Sequence, residues 1–385
     1  MDDIGDLFLS ESDLEFDTRT KSPPRFRSLF FSGGGILVVS MLGCLHGLEE
    51  CGYLRSQDTD IYCYAGISCG SIVSLLLAVG YSVKEMIGLM YGLDFKLFGI
   101  AQSSGSGGGS EMVIRIIESF GADDGERLMD LLRLLIEARC GVSDLTFHEL
   151  QQRTGKHLIV QAVCLTTGLL ETFSPLSTPK LSVLLAVRMS VAIPFMITPV
   201  CYEGRLYVDG AVASNTPVIG EINKYYDIDM REVLVVRTTN QIAINPEPIT
   251  NVVDYGLRIL YTLYNNVEYD PLSVPHSVDV VYDQLVGKVD IGSYTQKDFC
   301  VLFRTGYDRA ITFIEEFIDE ATSVGSSDGS SDGSTETPTE GSTETPTEGS
   351  TETPTDGSTE TPTEGSIDSP ATDTDSITTV CIVNR

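Results

Sequence analysis

Ile61-Tyr62-Cys63-Tyr64-Ala65, then Gly66-Ile67-Ser68-Cys69-Gly70, then Ser71-Ile72-Val73-Ser74-Leu75-Leu76-Leu77-Ala78-Val79 read as a strand, a sharp turn and a helix. The first block is short and rich in β-favouring residues, whereas the last is a longer apolar run closed by Gly80. Small residues two before and two after Ser68 let the backbone turn tightly, lifting the serine hydroxyl out while the new helix offers free amides. The same five-residue expression recurs at Gly325-Ser326-Ser327-Asp328-Gly329 and at Gly329-Ser330-Ser331-Asp332-Gly333. Both lie in a polar repeat with no flanking strand or helix, so context singles out Ser68. By itself the turn also fits a serine that merely caps a helix.

Working outward, the pattern alternates. A strand is predicted at 28–31, a helix at 36–50, a strand at 61–65 and a helix at 71–79. Further strands are expected at 157–165, 200–208, 232–237 and 277–282, with helices near 181–190, 252–264 and 308–321. The late helix sets Ile311, Ile314, Phe317 and Ile318 on one face. Short apolar strands joined by helices imply an α/β fold with a mainly parallel central sheet covered on both faces. Ser103-Ser104-Gly105-Ser106-Gly107-Gly108-Gly109-Ser110 interrupts two apolar helical stretches and reads as a flexible insertion, with a hinged lid as the rival.

Composition separates a foldable centre from two acidic ends. Of 385 residues, 55 are acidic and 25 basic, a formal net charge of -30. Residues 1–24 read as a disordered acidic arm closed by Pro23-Pro24, 25–322 as one globular domain, and 323–385 as a disordered tail. The tail repeats Gly-Ser-Thr-Glu-Thr-Pro-Thr-Glu from Gly333 to Glu364, Asp356 replacing one Glu, and has no apolar face to bury. The acidic balance excludes nucleic acid as a partner, because phosphate binding needs clustered Lys and Arg. The nine cysteines are odd in number and scattered through apolar runs, which suits reduced core thiols. No metal-ligand spacing, signal peptide or membrane-spanning run is legible, so no cofactor, no metal and a cytoplasmic location are expected. Protein partners are not legible.

Two further segments complete the constellation around Ser68. Ser32-Gly33-Gly34-Gly35 follows a strand and opens a helix, where unshielded amides favour negative charge. Neither nucleotide-binding glycine fingerprint is completed there, which leaves an anion-binding loop or a structural turn. Tyr207-Val208-Asp209-Gly210-Ala211 ends an apolar strand on an aspartate able to project into a cleft, or simply makes an Asp-Gly turn.

In combination these segments resemble the patatin-like phospholipase family, lipid acyl hydrolases that use a Ser-Asp dyad. The glycine loop, the elbow and Asp209-Gly210-Ala211 match that family's motifs in order. So do Leu42-Gly43-Cys44-Leu45, Leu165-Thr166-Thr167-Gly168, Val187-Arg188-Met189-Ser190-Val191-Ala192-Ile193-Pro194-Phe195 and Ser214-Asn215-Thr216-Pro217. The resemblance spans about residues 27 to 320. One departure is Ile36-Leu37-Val38, where many members carry a basic residue after the glycines.

The resemblance implies a three-layer α/β/α sandwich and cleavage of lipid acyl esters at a membrane or droplet surface. Ser68 would be the nucleophile, Asp209 its base, and the Gly33-Gly34-Gly35 loop with the Cys69 amide the oxyanion site. For that role Asp209 needs a raised pKa, or Ser68 must ionise unusually easily. Two alternatives remain: a Ser68-Asp209-His276 triad, or an inactive scaffold that binds lipid or recruits partners.

Overall fold

The computed structural model describes residues 24–55, 60–94, 109–240, 255, 256, 258, 259, 262, 275–282 and 294–325. The chain divides into two compact units, Met1–Ser323 and Val324–Arg385, and the fold described is that of the first. The acidic arm through residue 23, the repeat tail from residue 326 and residues 103–108 of the Gly/Ser-rich insertion lie outside the described residues, as does much of the expected helix at 252–264.

A mixed sheet forms the centre. Its parallel part consists of β1 (Ser28–Phe31), β2 (Cys63–Ile67), β4 (His157–Cys164), β9 (Val233–Asn240) and β10 (Ser277–Tyr282), in the order β10-β9-β1-β2-β4. Antiparallel to β4 run β5 (Leu169–Phe173) and β8 (Arg205–Asp209), and β7 (Val200–Tyr202) pairs with β8. A separate parallel pair joins β3 (Gly121–Asp123) to β6 (Phe195–Ile197).

The helices are α1 (Val38–Glu50, after a 3-10 turn at Gly35–Leu37), α2 (Cys69–Ala78), α3 (Val83–Gly92), α4 (Gly109–Ser119) and α5 (Glu126–Cys140). They continue with α6 (Phe147–Thr154), α7 (Val183–Ser190), α8 (Ile219–Ile222) and α9 (Gln296–Gly325). Side-chain alternation along the strands divides the core. Leu29, Phe31, Tyr64, Val160, Leu234 and Val236 belong to the larger apolar cluster, which also takes in α1, α2 and α9. Phe30, Cys63, Ala65, Ile159, Val233 and Val235 face a smaller cluster with Ile222 and Tyr226. Helices thus cover both sides, unequally among the described residues.

Several expected boundaries move, for local reasons. The strand expected at 61–65 forms its ladder two residues later, over Cys63–Ile67, and the helix after it starts at Cys69. The single strand expected at 200–208 is a hairpin, because Glu203 and Gly204 both take left-handed φ values, 49° and 73°, and reverse the chain. The last helix begins twelve residues before Asp308, where Thr295 and Asp298 exchange side-chain and backbone hydrogen bonds in a capping box. The same device opens α3 with Ser82 and Glu85, and α6 with Thr146 and Glu149. Gly109 and Ser110, taken from sequence as part of an irregular loop, are the first residues of α4.

α9 lies against α1 at backbone contact. A Cβ at Gly43 would collide with the Phe303 carbonyl, and one at Gly306 with the Ser40 carbonyl. Gly43→Ala therefore forces the helices apart and should cost about 2 kcal/mol or more. Gly88, in α3 with open space around it, is the control: Gly88→Ala should be neutral or stabilising by up to about 1 kcal/mol. Thermal denaturation of both variants reads the difference, and equal midpoints would refute the close-contact account.

Candidate active site

Strand register builds this site. β2 pairs with β4 from Cys63↔His157 to Ile67↔Gln161, and β8 pairs with β4 from Cys164↔Tyr207 to Ala162↔Asp209. β5 pairs with β4 over Val160–Cys164, so it overlaps both neighbours and must occupy the opposite edge from each. β2 and β8 therefore share one edge of β4 and approach it from opposite directions, their C-termini meeting head on. Ser68 follows the end of one, and Asp209 ends the other.

The turn between β2 and α2 is made by close approach. A Cβ at Gly66 would run into the backbone of Gly70, and one at Gly70 into the carbonyls of Phe31 and Ser32. Between them Ser68 sits at φ 53°, ψ -130°, a strained conformation for a side-chain-bearing residue. Its side chain does not cap α2. Instead Ser68 Oγ donates to Asp209 Oδ2 at 2.6 Å, while the Ser68 amide donates to Ser190 Oγ at 2.9 Å and the Ser190 hydroxyl to the Gln161 carbonyl at 2.7 Å.

Asp209 is buried. Its Oδ1 accepts from the Ala211 amide at 2.8 Å, and its own amide donates to the Ala192 carbonyl. Burial raises the carboxyl pKa to about 7, against the lowering effect of the hydrogen bonds from Ser68 and Ala211. The neighbouring Cys69 thiol is pushed up to about 12, first by burial and then by the Asp209 charge, so it stays protonated beside Ser68.

The glycine loop is held from three sides. The Gly33 amide donates to the Asn215 carbonyl at 2.8 Å, and the Gly33 carbonyl accepts from Thr238 Oγ1 at 2.7 Å and Ser32 Oγ at 2.9 Å. Asn215 Nδ2 reaches the Thr238 carbonyl. The Gly33 amide is therefore spent on the scaffold, which corrects its expected place among the anion-binding donors. Gly34 and Gly35, at φ 159° and 57°, open a 3-10 turn with no side-chain cap, as Cys69 opens α2. Uncapped helix starts leave N–H groups for an incoming acceptor.

Gly35 and Cys69 also line a cavity of about 170 Å³ whose remaining walls are apolar, among them Leu42, Ile72, Leu76, Met90, Leu132 and Leu135. His276 lies elsewhere. It precedes β10, at the opposite end of the parallel strands from Ser68, with its ring edge-on to Phe26 and Phe317 at 5.4 and 6.2 Å. The triad alternative fails on that placement. Sequence reading missed Gln161 and Thr238 and gave Ser190 no role; a buried glutamine in an otherwise apolar strand was the one local signal.

The chain matches the model of the patatin-like phospholipase family over residues 29–221, from β1 to α8. It is similar to an uncharacterized protein of Acanthamoeba polyphaga mimivirus, 28% identical over 248 residues covering 63% of this chain and 77% of that protein. It is also similar to a probable lipid hydrolase of Invertebrate iridescent virus 6, 30% identical over 204 residues covering 51% of this chain and 63% of that protein. Among solved structures it resembles VipD from Legionella pneumophila, at 17% identity and a TM-score of 0.49, covering 80% of this chain and 73% of that one.

The raised Asp209 pKa carries a stability signature. The folded chain holds this proton more tightly than the unfolded chain, so the stabilisation is full below about pH 4 and lost as pH rises through about 7. Asp209→Asn escapes the loss. Its stability relative to wild type should grow from about pH 4 and level off above about pH 7 at a gain on the order of a few kcal/mol. Denaturant melts across that range test this; a difference independent of pH would contradict the buried, proton-holding carboxyl.

Proposed function

Because the chain belongs to the patatin-like phospholipase family, a family of lipid hydrolases, we propose that it cleaves fatty acyl esters of lipids with Ser68 as nucleophile and Asp209 as the base that activates it. The observation that carries this reading is the 2.6 Å hydrogen bond from Ser68 Oγ to Asp209 Oδ2, set beside an apolar cavity that begins at Gly35 and Cys69.

Ser68 Oγ attacks the ester carbonyl carbon as its proton passes to Asp209. The oxyanion is received by the amides of Gly34, Gly35 and Cys69, each well-placed donor contributing roughly 3 kcal/mol. Collapse of this intermediate expels the alcohol, which takes the proton from Asp209 and leaves the acyl group on Ser68. Water then attacks the acyl-serine, giving its proton to Asp209, and the serine leaves with that proton as the fatty acid departs. An aspartate with an ordinary pKa is a weak base near neutrality, and the burial of Asp209 supplies the needed shift. The apolar residues Ile36, Leu37 and Val38 follow the glycines directly. Their loop relies on Thr238, Ser32 and Asn215 for its shape.

Incubation with a mixed lipid extract should release fatty acids. Ser68→Ala and Asp209→Asn should each lower turnover about a thousandfold or more, with His276→Ala within about threefold of wild type. A fluorophosphonate probe should label Ser68. kcat/KM should fall about tenfold per pH unit below about 7, the pKa of Asp209, and level off above it. A folded chain that is neither labelled at Ser68 nor releases any fatty acid in a Ser68-dependent way would sink the enzyme reading in favour of an inactive scaffold.

A further inference from the structure

Two phenylalanines occupy a backbone conformation that bulky side chains rarely adopt. Phe120 has φ 60° and Phe195 has φ 66°, and both are largely exposed, at 50% and 41%. They stand side by side: Phe120 precedes Gly121, and Gly121 pairs directly with Phe195 where β3 meets β6. Strained backbone persists only where the surrounding structure holds it, and here the hold is visible. Arg188, itself buried, donates to the carbonyls of Asp124 at 2.6 Å and Thr198 at 2.7 Å, just beyond the two strands, and the Thr198 amide and hydroxyl both donate to the Asp123 carbonyl.

Other apolar side chains extend this pair into a patch. Ile114 and Ile117, one helical turn apart on α4, are 52% and 70% exposed and lead to Phe120. On the other side the Phe195 ring lies 3.2 Å from where a Cβ of helical residue Gly256 would stand, and the neighbours of Gly256, Tyr255 and Ile259, are 56% and 44% exposed. The chain ties this patch to the Ser68–Asp209 site. Ala192, three residues before Phe195, accepts the Asp209 amide hydrogen bond.

We infer that Ile114, Ile117, Phe120, Phe195, Tyr255 and Ile259 form the face that inserts into a lipid surface and sets the Ser68 cleft against it. This rests on the proposed lipid substrate. The chain is acidic overall, with a formal net charge of -30, which opposes attraction to anionic headgroups, so adhesion comes from apolar side chains held outward on a rigid edge. Phe120 and Phe195 are the wedge. Isolated exposed apolar residues are ordinary, but a contiguous set beside a proposed lipid cleft, with two members kept in a strained conformation, calls for an occupant.

The test uses the full chain with a Phe120→Asn, Phe195→Asn double substitution, since asparagine tolerates left-handed φ and should keep the fold or steady it. Partition onto dioleoylphosphatidylcholine vesicles is measured by co-sedimentation in a Ser68→Ala background, which separates binding from turnover. The double variant should lose about tenfold or more in partition coefficient, with an unlowered melting temperature. In the Ser68 background it should hydrolyse a water-soluble short-chain ester within about twofold of wild type, and wild-type partition should change little between about 0.05 and 0.5 M salt. Unchanged partition in the double variant would overturn the assignment. So would partition abolished by salt, or a wild-type dimer that the substitutions convert to monomer without any vesicle binding, which would make a second copy the occupant. Phe-dependent partition without Ser68-dependent ester hydrolysis would leave the docking face standing and remove the enzymatic reading instead.

Discussion

Everything at the candidate site depends on one edge of β4 being shared. β2 climbs it in parallel as far as Gln161, and β8 descends it antiparallel as far as Ala162, so two chain segments more than a hundred residues apart end one register step from each other. Neither could continue without displacing the other. Each must leave the sheet at that point, the first through the strained Ser68 turn and the second through Asp209 into a 3-10 turn at Gly210–Val212. A Cβ at Gly210 would stand 2.6 Å from the Gln161 carbonyl, which shows how tightly the exit is made. Gln161 lies at this junction. It takes the Ser190 hydroxyl on its carbonyl, and its side chain binds Thr172 and both polar backbone groups of Val218.

The helix starts at the site differ from three elsewhere in the fold. α3, α6 and α9 carry reciprocal capping boxes at their starts. The turn into α1 and the start of α2 carry no side-chain cap and converge on Ser68. Side-chain caps would satisfy these amides internally and take them from any incoming acceptor. Stability is thus left unclaimed locally, and the surrounding network of Thr238, Ser32 and Asn215 keeps the glycine loop from collapsing.

Much of this was legible before the structure. Strand and helix alternation from Ser28 to Ala78 is written in apolar runs and glycines, and the elbow and the Asp-Gly-Ala turn are local patterns that need only their neighbours to be read. The Glu203-Gly204 hairpin was not, since its glutamate lacks the usual turn signature of asparagine or aspartate. The early start of α9 was written in Thr295 and Asp298, a signal overlooked because the apolar stripe is clearer later in the helix. Ser190, Gln161 and Thr238 belong to another category. Thr238 meets Ser32 across 206 residues of chain, and Ser190 meets Ser68 across 122, distances over which no spacing rule operates. Likewise the engagement of the Gly33 amide by Asn215 comes from the fold alone.

The burial of Asp209 bears on how such a chain would drift. A carboxylate enclosed without a cation is a standing liability to folding, whereas a neutral amide of nearly the same shape removes the liability at once. If selection acted only on a folded scaffold, this position would be among the first to slide toward asparagine, by a single side-chain replacement that leaves the packing almost untouched. Asp209 is thus a residue that stability alone does not favour, which makes position 209 a direct gauge of whether the chain is held to more than folding.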